Sequence, residues 1–96
     1  MQFTAINVAE LWKMQKDPCV YIIDLRSRRE YAAFHLQGAH NYCYEQIDCW
    51  KEKLPKNRKI VLCCEHGNTS MLAAKRLAQC GYQVYTLIGG LNALNG

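Results

Sequence analysis

Cys64-Glu65-His66-Gly67-Asn68-Thr69-Ser70 is the stretch of this chain best equipped for chemistry. A cysteine thiolate is a strong nucleophile, and here the cysteine opens a run of turn-forming residues. That run joins the apolar segment Ile60-Val61-Leu62-Cys63 to an amphipathic one, so the expected order is strand, tight loop, helix. Backbone N–H groups of such a loop, with the helix N-terminus behind it, form a concavity that favours negative charge. Cysteines placed there ionise more readily than a free thiol. Cys64 is therefore the candidate nucleophile, and Glu65, His66, Gly67, Asn68, Thr69 and Ser70 are the candidate loop around what it attacks. The residues alone leave the plainer reading open, in which Cys64 is a buried packing cysteine.

The elements that must position this loop are legible as patterns. Asn7 and Glu10 have the spacing of a capping box, and Val8, Leu11 and Trp12 recur at helical spacing, which predicts a helix to about Gln15. Val20-Tyr21-Ile22-Ile23 reads as a strand buried on both faces, with Asp24 at its carboxyl end. Ser27 and Glu30 repeat the capping box ahead of a short helix through Phe34. A brief strand is expected over Ala39 to Tyr42. Ile47, Trp50 and Leu54 form one stripe of an expected helix over 45–54, closed by Pro55. Ile60 to Cys63 is the next buried strand; Ser70, Ala73, Ala74 and Leu77 mark a helix over 69–80 with Gly81 at its end; Val84 to Ile88 is the last strand. Strands alternating with helices imply an open, twisted α/β fold with parallel pairing, in which ligands bind outside the carboxyl ends of the strands. Asp24, Cys64 and Gly89 occupy such ends.

Composition bounds the rest. Ninety-six residues, half of them hydrophobic and 21% charged, predict one folded domain over 1–96. No apolar run approaches the roughly 20 residues of a membrane-spanning helix. A formal charge of +4 is mild and forms no dense basic stripe, so neither a nucleic-acid nor a membrane partner is expected. The first residues lack an export-signal pattern, which makes a cytoplasmic protein the expectation. Six cysteines, at positions 19, 43, 49, 63, 64 and 80, do not have the spacings of a disulfide framework and are expected to be mostly reduced and buried. Trp12, Trp50 and the tyrosines are expected at core or half-buried positions.

The segment Ile60 to Ser70, then Ala73-Ala74-Lys75-Arg76-Leu77 and Gly81-Tyr82, closely resembles the active-site strand, loop and helix of rhodanese-like domains. Ile23-Asp24-Leu25-Arg26 with Glu30-Tyr31 resembles that family's Asp-x-Arg and Glu-Tyr signature. His35-Leu36-Gln37-Gly38-Ala39-His40-Asn41 and Leu87-Ile88-Gly89-Gly90 match two further stretches in the same order. The resemblance implies an open five-stranded parallel sheet between helices and a sulfurtransferase in which Cys64 cycles between thiolate and persulfide. It implies a small sulfur donor or protein persulfide, a thiol acceptor, and no metal or organic cofactor. Asp24, Arg26 and Glu30 would support the loop by hydrogen bonding.

Two loop positions that often carry arginine in that family hold Glu65 and Thr69 here, which predicts poor use of the thiosulfate dianion and better use of polysulfide or protein persulfide. A non-catalytic module that senses sulfur or oxidation is the competing reading. A cysteine phosphatase is disfavoured, because it needs an arginine at the loop's end to clamp the phosphoryl group. A zinc site is disfavoured too, since Cys63 and Cys64 are adjacent on a strand and point to opposite faces. His35 and His40 are read as loop anchors held by hydrogen bonds.

Overall fold

The structure, a computed structural model, describes residues 2–95, so Met1 and Gly96, the ends of the expected domain, lie outside the described residues. Five strands, β1 (Thr4–Ile6), β2 (Val20–Asp24), β3 (His40–Asn41), β4 (Lys59–Cys63) and β5 (Gln83–Leu87), form one parallel sheet in the order β1-β5-β4-β2-β3. Four α-helices join them: α1 (Val8–Gln15), α2 (Arg28–Ala33), α3 (Ile47–Trp50) and α4 (Asn68–Gln79). Short 3₁₀ turns occupy Tyr44–Gln46 and Gly90–Asn95. The expected α/β architecture is the one observed.

The central strands are apolar at nearly every position because both of their faces are covered. Ile23 and Leu62 pack with Ala73, Ala74 and Leu77 of α4 on one side of the sheet. Ile22, Val61 and Leu87 pack with Leu11 of α1 on the other. Cys64 belongs to the first layer and Cys63 to the second, the alternation expected of neighbours on a strand.

Both capping boxes form. Asn7 Oδ1 accepts from the Glu10 amide at 2.8 Å while Glu10 Oε1 accepts from the Asn7 amide at 2.9 Å. Ser27 and Glu30 exchange the same pair of bonds at 3.2 Å each. Gly81, just past α4, has φ +93°, the left-handed conformation that glycine adopts without strain.

Several expectations are corrected. The helix expected over 45–54 is a 3₁₀ turn followed by four α-helical residues, since the chain turns away after Trp50 with the Lys53 amide bonding the Trp50 carbonyl. Its apolar stripe is real nonetheless, with Ile47 and Leu54 buried. The strand expected over Ala39 to Tyr42 is only His40–Asn41. All six cysteines are free, but Cys19, Cys43 and Cys49 are exposed rather than buried, since they lie at turns and short helices outside the two packed layers. Trp12 is exposed, pointing away from the face on which Leu11 is buried. His35 is anchored as expected, its Nδ1 lying 2.7 Å from the Tyr31 carbonyl. His40 instead stacks on the Tyr21 ring at 4.2 Å between centroids.

Burial in the sheet, with Asp24 adding, pushes the Cys63 thiol up from 9.0 to about 12. The unfolded chain therefore releases this proton first: the contribution is fully present below about pH 9 and is lost as pH rises towards about 12. The urea midpoint is expected to fall between about pH 8 and about pH 11, and Cys63→Ala to fall less steeply over that window although it starts lower.

Candidate active site

The loop 64–70 begins at the carboxyl end of β4, in the middle of the sheet, and runs into α4. Gly67 is the N-cap of α4 with φ +97°, so it turns the chain back towards Cys64 in a conformation that L side chains resist. The turn aims two amides at one atom: the Gly67 N–H donates to Cys64 Sγ at 3.0 Å and the Ser70 N–H at 3.3 Å. Ser70 is buried, and its hydroxyl donates to the Gly67 carbonyl at 3.1 Å, which locks the turn. Two convergent donors and the helix N-terminus form a setting that stabilises anionic sulfur.

The loop is held from behind by the turn after β5. The amides of Leu91 and Asn92 donate to the carbonyls of Cys64 and Glu65 at 2.7 and 2.9 Å. Close approach there depends on Gly90, where an added Cβ would lie 2.4 Å from the Cys64 carbonyl oxygen and 2.5 Å from that of Glu65. The carbonyls face this turn, which leaves the loop's N–H groups for the sulfur.

In front of Cys64 lies a cavity of about 360 Å³, lined among others by Arg26, Glu30, Cys43, Glu45, Glu65 and Thr69. Cys64 is only 5% exposed at its floor. Arg26 is the cation that lines this cavity, and its charge is already engaged. Its Nη2 donates to Asp24 Oδ2 at 2.8 Å, its Nε to Asp24 Oδ1 at 3.1 Å, and it also donates to the Phe34 carbonyl. Asp24, 1% exposed, lies beneath as a support and does not line the cavity. The guanidinium is held protonated above its ordinary range first by that hydrogen bond, with Glu65 and Glu30 adding.

Three carboxylates surround the opening. Glu30 is held below the ordinary carboxylate range chiefly by Ser27, with a smaller contribution from Glu65, its neighbour across the cavity. Glu45 is held low by a hydrogen bond from Cys43. His66 and Asn68 are exposed and take no part in the lining. Sequence reasoning missed Cys43 and Glu45, although they follow the carboxyl end of β3 and the rule that drew attention to Asp24 and Cys64 applies to them too.

The family model for the rhodanese-like domain matches residues 7–96. The chain belongs to the rhodanese-like domain family. It is similar to the thiosulfate sulfurtransferase GlpE of Coxiella burnetii, with 30% identity over 91 residues that cover 94% of this chain and 85% of the relative. A rhodanese homologue of Thermus thermophilus superposes with a TM-score of 0.76 at 31% identity, covering 93% of this chain and 98% of that one. A rhodanese-related protein of Thermoplasma volcanium shares the fold with a TM-score of 0.88 at 23% identity, covering 97% and 92%. No helix among the described residues is long and apolar enough to cross a membrane.

Gly81→Ala, with open space around the added Cβ, is expected to cost only the left-handed strain of about 1 kcal/mol. Gly90→Ala adds a backbone clash and is expected to cost at least about 2 kcal/mol, or roughly 10 °C in a chain of this size. Thermal melts of the two variants check this, and Gly90→Ala alone should also change the alkylation rate of Cys64.

Proposed function

We propose that this protein is a sulfurtransferase, acting as a single rhodanese-like domain, in which Cys64 carries sulfane sulfur as a persulfide. The observation that carries the reading is the convergence of the Gly67 and Ser70 amides on Cys64 Sγ at the floor of a cavity. The Cys64 thiolate attacks the sulfane sulfur of a donor, the donor's S–S bond breaks, and the remainder leaves with the electron pair. An acceptor thiolate then attacks the terminal sulfur of the persulfide, and Cys64 departs as the thiolate it was. The loop amides stabilise the anionic sulfur at both stages, an arrangement of preorganised dipoles that costs no rearrangement when charge moves.

Charge at the cavity favours polysulfide or a protein persulfide over thiosulfate as donor. A carboxylate roughly 6 Å from a unit of substrate charge repels it by about 3 kcal/mol at an effective dielectric near 20, and by well under 1 kcal/mol once solvent screens it. Glu30 and Glu45 stand beside Glu65, and Arg26 is committed to Asp24. A dianion therefore meets repulsion, and the guanidinium that lines the cavity is already paired.

Exposure to polysulfide is expected to add about 32 Da, the mass of one sulfur atom, in a form that dithiothreitol removes and Cys64→Ser prevents. A protein that gains no such adduct is a binding module rather than a carrier. Glu65→Arg is expected to raise kcat/KM for thiosulfate severalfold, more at low salt than at high salt. Equal or lower activity in the folded variant would refute the charge argument.

A further inference from the structure

We propose that Cys43 is a second sulfur carrier, which takes the terminal sulfur from the Cys64 persulfide and presents it at the surface to thiol acceptors. The inference rests on the persulfide reading of Cys64 and adds the route by which the sulfur leaves. Cys64 and Cys43 line the same cavity, yet Cys64 is 5% exposed whereas Cys43 is exposed. An acceptor too large for a space of about 360 Å³ reaches Cys43 and not Cys64.

The surroundings of Cys43 suit such a transfer. Its Sγ–H donates to Glu45 Oε1 at 2.9 Å, so a carboxylate stands ready to take the proton as the sulfur becomes a nucleophile. Cys43 also lines a second, larger cleft of about 640 Å³, together with Arg26, Arg28, Tyr31, Asn41 and Gln46. Cys43 thus stands where the two openings meet, and an acceptor can approach it from the second cleft without entering the first.

The sheet register brings the segments that carry the two cysteines to the same end of the sheet. Asp24 pairs with Cys63 on one side and Asn41 on the other, which sets those two residues about 10 Å apart, two strand spacings. Cys64 and Cys43 follow one and two residues further on. A direct disulfide wants Cα atoms within about 7 Å, whereas the terminal sulfur of a persulfide reaches about 2 Å beyond Sγ into the shared space. The added sulfur thus extends into the space that Cys43 also lines.

In the step itself the Cys43 proton passes by way of Glu45 to water, and the Cys43 thiolate attacks the terminal sulfur of Cys64–S–SH. A new S–S bond forms on Cys43, the S–S bond on Cys64 breaks, and its electron pair stays on Cys64 Sγ. The terminal sulfur keeps its own proton. No oxidant or reductant is consumed. The Gly67 and Ser70 amides aimed at Cys64 Sγ stabilise the charge it takes up as it leaves.

The test is a single-turnover experiment on the whole chain. The protein is loaded with polysulfide, desalted, quenched with an alkylating agent over time, and mapped by fragment spectra that separate Cys43 from Cys49 and Cys64 from Cys63. The added sulfur is expected on Cys64 first and on Cys43 next, and on neither in Cys64→Ser. Cys43→Ser is expected to lose transfer to glutathione at least about tenfold more than transfer to cyanide, which is small enough to reach Cys64 directly. Glu45→Gln, a change at an exposed side chain that leaves the packed layers intact, is expected to delay the Cys43 adduct more than the Cys64 adduct. An adduct confined to Cys64, a Cys43 adduct in Cys64→Ser, a Cys43–Cys64 disulfide, or equal losses for both acceptors in Cys43→Ser would overturn the inference while leaving Cys64 a carrier. A protein with no adduct on Cys64 would overturn the carrier reading together with it.

Discussion

The contact between the loop carbonyls and the turn that follows β5 is the constraint on which the site depends. A backbone that presents several N–H groups to one point must send its carbonyls elsewhere, and buried carbonyls without partners are costly. Here the amides of Leu91 and Asn92 receive them, with Gly90 allowing the two backbones to touch. Gly67 completes the geometry from the other side by reversing the chain under Cys64. The donors aimed at the sulfur are thus main-chain groups, which the glycines permit and the Ser70 hydroxyl holds in place.

Side chains set the charge on top of that scaffold. The Asp24–Arg26 pair is forked, with Asp24 buried and Arg26 half-buried, and through the Phe34 carbonyl it ties the loop after β2 to the end of α2. One consequence is that the arginine adds little field at the cavity. Glu30, Glu45 and Glu65 then dominate its opening on a chain whose overall charge is +4.

Much of this was legible from the residues because the physics is local. The capping boxes at Asn7 and Ser27 depend on a three-residue spacing, and the central strands on unbroken apolar runs. The loop could be read from glycine and short polar residues between a strand and a helix. What escaped depends on tertiary contacts. Three residues, Thr4-Ala5-Ile6, are too few to show any period, and they become a strand only because β5 offers an edge. The stripe Ile47, Trp50, Leu54 marks burial correctly but not helix length, since a turn can bring Leu54 to the same layer. The exposed cysteines and the cavity's Cys43 and Glu45 lie on a connection after a two-residue strand, where no pattern announces which way a side chain points.

The pairing of β1 with β5 has a consequence in time as well as in space. Thr4 lies beside Tyr85, so the sheet's edge closes only after residue 85 has been made, and every strand pair is parallel and distant in sequence. Such topologies pay their loop-closure entropy before contacts reward it and fold slowly for their size. The turn that braces the loop comes later still in the chain than β5. During synthesis the Cys64 loop is therefore made before the turn that braces its carbonyls, and it gains that support only once β5 and the turn have docked.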